Sequence, residues 1–275
     1  MLFKNIDKLV IAAVLIAFSQ TASAEKIGKC DTPQCVEYFK KYKTAAKRGH
    51  PLAMLTLGQF YHHGYGTEED EKKALKYFKK AARAGYTSGQ FKAGYIFMTS
   101  EELRDIGDAT YYLEKAAKYD YEGANFLLGM LHFDKKYDNR DLEKADEYFA
   151  ASYKKKYEQM PTVVKFIEAE MPIDQKNFPQ LYAAMNDRPL AQHKDGTLSF
   201  HDENVEVITI TSPPLVQTFN KQLVSFRKAI KSTGTRFQGK TCAERLTCMQ
   251  RADIADSTDF NNLFLDGFGG ASNSQ

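Results

Sequence analysis

The sequence predicts an all-α solenoid of helix hairpins followed by a smaller α+β C-terminal region. A unit of about 36 residues recurs over the first half of the chain, and a fixed period of this length is the signature of a repeat architecture. Within each unit, small and apolar residues fall on one face of two successive helices. The repeats run out after Lys156, although residues 159–170 could form one more helix in register. Beyond residue 170 the period is lost, and a short stretch alternates apolar and polar residues as a strand does. We expect about three hairpins, preceded by an N-terminal half repeat.

The clearest copy of the unit runs from Pro51 to Gly85. One helical face of its first half carries Ala53, Leu57, Gly58 and Tyr61, and one face of its second half carries Ala74, Tyr77, Phe78, Ala81 and Ala82. The run Gly64–Gly66 breaks the first helix. Thr67 is expected to cap the second helix, with Asp70 three residues later completing a capping box. This copy therefore predicts a helix hairpin, which ends at Gly85.

The neighbouring segments repeat this pattern position by position. Counterparts of Gly58 stand at Gly94 and Gly129, counterparts of Phe78 at Leu113 and Phe149, and counterparts of Tyr61 at Phe97 and His132. Small residues at the first of these places let the two helices of a hairpin approach closely, and His132 is expected to fill an aromatic packing position. Because one hairpin cannot bury its apolar faces alone, stacking of hairpins supplies the core.

The motif A-x-x-x-L-G-x-x-Y-x-x-G-x-G between Ala53 and Gly66, with the second-helix residues that follow it, closely resembles the SLR (Sel-one-like repeat) family, a relative of the tetratricopeptide repeats. The resemblance continues over residues 86–120. It weakens over residues 121–156, where the inter-helix glycines are absent and Ser152-Tyr153 replaces the alanine pair. The resemblance implies an α-solenoid that serves as a binding scaffold over residues 51–170, without shared catalytic residues.

Residues 1–24 have the layout of a signal peptide. Lys4 and Lys8 precede an apolar run, and Ala22-Ser23-Ala24 offers small residues for cleavage. Because the run is too short for a membrane anchor, we expect a chain without a membrane span, located in the periplasm of a Gram-negative bacterium or secreted. Residues 25–50 then hold the second helix of a repeat without its first, which predicts an N-terminal cap.

Four cysteines follow the predicted leader, at Cys30, Cys35, Cys242 and Cys248. An even number of cysteines in an exported protein favours disulfide bonds. Three pairings are possible. The short spacings favour local pairing within each half, whereas the two crossed pairings would tie the ends of the chain together.

The charge distribution argues against a nucleic-acid partner. The formal net charge is +3, and the lysines alternate with acidic residues along the predicted helix surfaces. Nucleic-acid binders concentrate basic residues on one face. These lysines are instead expected to be the solvated side of the repeat helices.

The region 171–263 is predicted to be α+β, with a disordered tail at 264–275. We expect a short helix near Phe178–Met185, and a polar turn at Lys194-Asp195-Gly196. A strand hairpin is then expected to join Thr197–Phe200 to Val205–Thr211. Leu215–Lys231 reads as an amphipathic helix with Phe219, Leu223, Phe226 and Ile230 on one stripe.

An enzyme is the alternative class of function. The dense group of acid, base or metal-ligating residues is His193, Asp195, His201, Asp202 and Glu203. An envelope hydrolase or a metal-dependent enzyme would place its site near His193 and His201. No catalytic motif surrounds these residues, so we expect no enzyme, no catalytic residue, no metal and no cofactor.

The first helices of the repeats carry a second apolar stripe, which lies opposite the repeat motif. It becomes more aromatic and Met-rich along the array, through Leu55, Gln59 and His62, then Phe91, Tyr95 and Met98, and then Phe126, Met130 and Phe133. We call these nine residues the inner stripe. Exposed apolar surface of this kind marks a contact, and aromatic and Met side chains bind peptides adaptably.

Two explanations of the inner stripe stay open. In the first, Phe91, Tyr95, Met98, Phe126, Met130 and Phe133 bind a partner protein or peptide from the periplasm or envelope. In the second, the C-terminal region folds back and covers the stripe, which would regulate such binding. The sequence therefore predicts an exported scaffold for protein–protein interaction, and a structural role in an envelope assembly stays open beside it.

Overall fold

The structure, a computed structural model, describes residues 27–194, 196–200 and 213–227. Within them lie ten α-helices: α1 Pro33–Lys47, α2 Pro51–His63, α3 Glu71–Arg83, α4 Thr87–Thr99, α5 Ile106–Ala117, α6 Glu122–Phe133, α7 Leu142–Lys154, α8 Met160–Glu170, α9 Pro179–Asp187 and α10 Leu215–Arg227. A short 3-10 helix, Lys135–Tyr137, and two strands, β1 Leu190–Gln192 and β2 Leu198–Phe200, join them. The predicted leader and tail lie outside the described residues.

The predicted solenoid of helix hairpins is confirmed. Helices α2 and α3, α4 and α5, and α6 and α7 form three successive hairpins, and α1 precedes them as the half repeat. In the first hairpin, Gly58 faces the ring of Phe78, and a Cβ atom at position 58 would lie 2.6 Å from two ring carbons. Gly94 meets Leu113 in the same way, and Gly129 meets Phe149. The repeat alignment therefore describes real contacts between the paired helices.

A second repeated contact is a pair of stacked rings beside each glycine contact. Tyr61 stacks on Tyr77 with ring centroids 5.8 Å apart, and Phe97 stacks on Tyr112 at the same distance. The third pair is His132 on Tyr148, at 5.9 Å and almost parallel. His132 is 3% exposed, and its Nδ1 atom lies 3.3 Å from the carbonyl oxygen of Asn139. The packing role expected for His132 is thus confirmed.

Aspartates cap the second helix of every hairpin. Asp70, Asp105 and Asp141 each accept a hydrogen bond from a backbone N–H three residues later. Each of them also donates its own N–H to the carbonyl oxygen of Tyr61, Phe97 or His132, over 2.8 to 2.9 Å. The hairpin turn is therefore held in the same way where the inter-helix glycines are absent.

The expectation that Thr67 caps the second helix is wrong. The cap is Asp70, whose Oδ1 accepts from the N–H of Lys73 at 2.7 Å. Gly64 and Gly66 both adopt positive φ, so the chain is still turning when it reaches Thr67. The helix begins only at Glu71, where its free N–H groups meet the carboxylate.

A disulfide bond between Cys30 and Cys35 closes the N-terminal end of the array. Cys30 also forms two backbone hydrogen bonds with the α2–α3 loop, from its N–H to the carbonyl of Gly64 and from the N–H of Gly66 to its own carbonyl. Local pairing is therefore confirmed for the first two cysteines. Cys242 and Cys248 lie outside the described residues.

Regular stacking ends after α7. The predicted helices over 159–170 and near Phe178–Met185 are present as α8 and α9, and α9 packs against α7. Asp146 of α7 is 2% exposed and accepts the N–H groups of Gln180 and Leu181 at 2.9 and 2.8 Å. A buried carboxylate on the positive end of α9 fixes this helix on the last repeat.

The strand hairpin differs from the one predicted. β2 pairs with the preceding strand β1 in antiparallel register, with Leu190 opposite Phe200. Between the two strands the N–H of Gly196 donates to the carbonyl oxygen of His193 at 2.9 Å, and Gly196 at φ +80° allows a tight reversal. The expected partner segment, residues 205–211, lies outside the described residues.

Candidate functional site

The inner stripe is the candidate site, and the structure buries most of it. Of the six residues predicted to bind a partner, Phe91, Met98, Phe126 and Phe133 are at most 5% exposed. Tyr95 and Met130 keep partial exposure. The open surface that the sequence pattern suggested is thus reduced to these two side chains, and binding by the stripe stays a prediction.

The burial has a physical cause in the neighbouring elements. Phe91 stacks on Tyr121, which begins the next repeat, with ring centroids 4.6 Å apart. Phe126 lies 5.0 Å from the ring of Tyr157. Helical spacing shows that residues share a face, but it does not show which side chains of later turns pack on that face.

Phe133 is covered by the helices that end the array. Its ring lies 5.6 Å from Phe166 of α8 and 5.9 Å from Phe178, the residue before α9. The guanidinium of Arg140 stands over the same ring at 5.2 Å. Phe166 and Phe178 therefore cover the α6 end of the inner stripe. Phe166 lies within the predicted repeat region, whereas Phe178 belongs to the C-terminal region that the second explanation places over the stripe.

Tyr95 and Met130 hold equivalent positions in successive repeats, since each lies one turn after the buried aromatic of its helix. The equivalent residue of α2 is Gln59, which is buried. The three side chains form a row across α2, α4 and α6, which we call the central row. The central row changes from polar at α2 to apolar at α6.

Two half-buried histidines and the buried Lys92 form a polar group beside the α2 end of the central row. The ring of His62 lies 6.4 Å from that of Tyr95, and His63 packs beside it at 4.6 Å. Burial, His62 and Lys92 together lower the pKa of His63 to about 3. Burial also lowers the pKa of Lys92 to about 7. Burial therefore favours the uncharged forms of both histidines and of Lys92.

Two polar atoms at the α2 end of the central row find no hydrogen-bond partner in the part of the chain that the structure describes. They are Gln59 Oε1 and His62 Nδ1. Unpaired buried polar atoms are uncommon and costly.

His193, in the hairpin that carries the enzyme alternative, is exposed. His193 Nε2 lies 2.8 Å from Ser199 Oγ across β1 and β2. Among the described residues, no carboxylate hydrogen-bonds to His193 to orient its ring. Asp195, His201, Asp202 and Glu203 lie outside those residues, so a site near His193 and His201 stays a prediction.

Neither a metal cluster nor a membrane span is found in the described part of the chain. No group of three or more His, Cys, Asp or Glu side chains there is arranged to hold a metal ion. No helix within residues 27–194, 196–200 and 213–227 has the length and hydropathy needed to cross a bilayer.

Comparison with known proteins identifies the repeat. Residues 51–86 and 87–118 each match the family model of the Sel1 repeat. Two curated relatives are chitin synthase regulatory factors of Schizosaccharomyces pombe: factor 4 is 35% identical over 108 residues, and factor 3 is 29% identical over 105. Each match covers 38% of this chain, but only 17% of factor 4 and 11% of factor 3.

Two similar solved structures share little sequence identity with this chain. A protective antigen of uropathogenic Escherichia coli with an SLR fold is 18% identical, over 55% of this chain and 33% of that one, with a TM-score of 0.48. A Sel1 repeat protein of Oxalobacter formigenes is 21% identical, over 46% of this chain and 96% of that one, with a TM-score of 0.38.

Proposed function

We propose that this chain, which carries Sel1 repeats over residues 51–86 and 87–118, is a non-enzymatic scaffold that binds another protein or a peptide along the central row. Sel1-repeat proteins are in general scaffolds for protein–protein interaction. The observation that carries the proposal is the exposure of Tyr95 and Met130 at equivalent positions of adjacent repeats.

The chemistry of the central row suits an extended peptide. Tyr95 and Met130 offer an adaptable apolar contact, and Gln59 Oε1 and His62 Nδ1 are unpaired polar atoms at its α2 end. A segment lying across α4 and α6 would place apolar side chains on Tyr95 and Met130. Successive repeats would thus contact successive parts of the peptide.

The proposed compartment is the periplasm or the exterior of the cell. Support comes from the signal-like residues 1–24 and from the Cys30–Cys35 disulfide. Disulfide bonds persist in oxidising compartments and are rare in the cytosol. The partner is accordingly proposed to be another periplasmic or envelope protein.

Site-specific photo-crosslinking tests the binding face. A photo-reactive phenylalanine analogue replaces Tyr95 or Met130, and matched controls carry it at Tyr111 or Tyr119, which are 50% and 66% exposed on other surfaces. The protein is expressed with its leader, irradiated in intact cells, and its crosslinked partners are identified by mass. We expect one common partner from positions 95 and 130, and none from 111 and 119. Equal crosslinking at all four positions would refute the central row as the binding face.

A binding measurement with the identified partner follows. Tyr95→Ser and Met130→Ser are expected to weaken binding about tenfold each, because central aromatic and apolar anchors carry most of the energy of an interface. Tyr119→Ser serves as the control and should leave the affinity unchanged. Equal affinities for all three variants would contradict the proposal.

A further inference from the structure

The N-terminal half repeat is completed by a helix from the other end of the chain. α10 packs against α1 and lies beside α2. Phe219 of α10 is fully buried among four rings, at centroid distances of 5.4 Å to Tyr38, 5.5 Å to Tyr42, 5.3 Å to Phe60 and 5.6 Å to Tyr65. Two turns further along α10, Phe226 lies 5.2 Å from His50 and 5.7 Å from Tyr42. We call Tyr38, Tyr42, His50, Phe60 and Tyr65 the aromatic cradle.

The aromatic cradle also recognises polar side chains of α10. The hydroxyl of Tyr38 donates to Asn220 Oδ1 at 2.9 Å, and the hydroxyl of Tyr42 donates to Gln222 Oε1 at 2.6 Å. Burial raises the pKa of Tyr42, so its hydroxyl remains a donor. The aromatic cradle therefore contacts four side chains of α10: a Phe, amide side chains one and three positions later, and a second Phe seven positions later.

The position of α10 explains why the aromatic cradle is there. In a complete repeat, a first helix covers the position that Tyr42 occupies in α1, as Gly58 of α2 covers Phe78. The half repeat has no first helix of its own in sequence, so the corresponding face of α1 would be open. α10 occupies this open face of α1, although the two helices are more than 160 residues apart in the sequence.

The contact is looser than that of a regular hairpin. Where the regular hairpins bring a glycine against a ring, α10 brings Phe219 against Tyr42, so two bulky rings separate the helices. Within α10 the buried side chains are Leu215 and Phe219, while Val224 is 51% exposed. A buried ring at Phe219, a second ring contact at Phe226 and two hydroxyl contacts resemble helix-in-groove recognition, in which an amphipathic helix of one protein lies in an apolar groove of another.

From this geometry we infer that the aromatic cradle is a binding site for an amphipathic helix of a partner protein, and that α10 is an internal helix that such a partner displaces. The partner helix carries the spacing seen in α10, with two Phe residues seven apart and an amide side chain next to the first. This site uses different residues from the central row, so either proposal can fail without the other.

Hydrogen exchange on the full-length chain is the first test. If external helices can displace α10, this helix detaches from α1 and α2 without unfolding of the array. Its backbone amide hydrogens should then exchange with solvent at least about tenfold faster than those of α1 and α2. Equal protection of α10 and α1 would show that α10 is a permanent part of the fold, and would overturn the inference.

A competition experiment is the second test. A fluorescein-labelled peptide of residues 213–227 is titrated with the full-length chain, and anisotropy reports binding. The substitution Phe219→Ala in the protein removes the side chain of α10 that fills the aromatic cradle, so the cradle is open to the peptide. Apparent affinity scales with the fraction of open sites. The variant should therefore bind the peptide at least about tenfold more tightly than the wild type does. Val224→Ala is the matched control within α10 and should behave as the wild type. A peptide carrying Phe219→Ala should not bind.

Two further results decide the remaining cases. If circular dichroism shows that Phe219→Ala is not folded, the double variant Asn220→Ala, Gln222→Ala replaces it, because it removes the hydroxyl contacts and little volume. A folded variant that binds the peptide no better than Val224→Ala would overturn the inference.

Light scattering of the wild type should show a monomer. A concentration-dependent dimer would instead indicate that the aromatic cradle binds α10 of a second copy of this chain, and would overturn the assignment to a different partner protein.

Discussion

Replacing Gly58 by Ala tests the closest contact in the solenoid. The added Cβ atom would lie 2.6 Å from two ring carbons of Phe78, about 1 Å inside ordinary van der Waals contact. Phe78 is 2% exposed and cannot swing toward solvent. Overpacking of this kind costs about 1 to 3 kcal/mol, while the helical preference of Ala over Gly returns about 1 kcal/mol. The two terms together leave a net loss, and we expect Gly58→Ala to lower the free energy of unfolding by up to about 2 kcal/mol.

Gly107→Ala is the matched control for that change. Gly107 lies in the first turn of α5, is exposed, and its added Cβ atom would meet only Asp105 Oδ1, at 3.4 Å. The same chemical change should therefore stabilise the chain there, by about 0.5 to 1 kcal/mol. Urea unfolding followed by far-ultraviolet circular dichroism compares both variants with the wild type, and opposite signs are expected.

A double-mutant cycle ties the loss to the Phe78 ring. Phe78→Leu is made alone and together with Gly58→Ala, because a leucine side chain adapts to the new methyl group more easily than a ring. We expect a favourable coupling energy of about 1 kcal/mol between the two changes. The reasoning about close helix approach would be refuted if Gly58→Ala were as stable as Gly107→Ala, or if the two changes were additive.

Three other changes probe the ends and the polar interior of the array. Asp146→Asn should cost about 1 to 3 kcal/mol in urea unfolding, because it weakens two buried hydrogen bonds to the first amides of α9; an unchanged midpoint would contradict this role. The double variant Cys30→Ser, Cys35→Ser should lose about 2 kcal/mol at most, since the disulfide closes a very short loop, and the wild type in reductant should match it. His63 has a folded pKa lowered to about 3 from an ordinary value of 6.5, mainly by burial and then by His62 and Lys92. Between these values the unfolded chain binds a proton that the folded chain does not, so stability should fall as pH falls through this window. His63→Gln should flatten that slope, and parallel slopes for the two proteins would exclude His63 as its source.

The periodic part of the fold could be read from the sequence because the repeat contacts are local. Gly58 and Phe78 lie 20 residues apart, and Tyr61 and Tyr77 lie 16 apart, and both pairs recur in the next two units. A pattern that repeats in this way reports which faces meet. The third copy, residues 121–156, resembles the repeat motif least, but it also forms a hairpin. Asp141 and His132 form the same backbone hydrogen bond there as Asp70 and Tyr61 do in the first copy.

The candidate site could be predicted only in part. Helical spacing placed Tyr95 and Met130 on one face, but it did not reveal that Tyr121, Tyr157 and Phe166 would pack over their neighbours. Those covering residues lie in turns and in the final helices, where no period links them to the stripe.

By itself the sequence determined the hairpin array, the half repeat at its start, the end of regular stacking after α7, and the amphipathic nature of α10. Only the tertiary structure decided where α10 lies. The partners Tyr42 and Phe219 are 177 residues apart in the chain. No local propensity or period carries information over that distance, because the contact depends on which apolar face is left open once every other helix has packed.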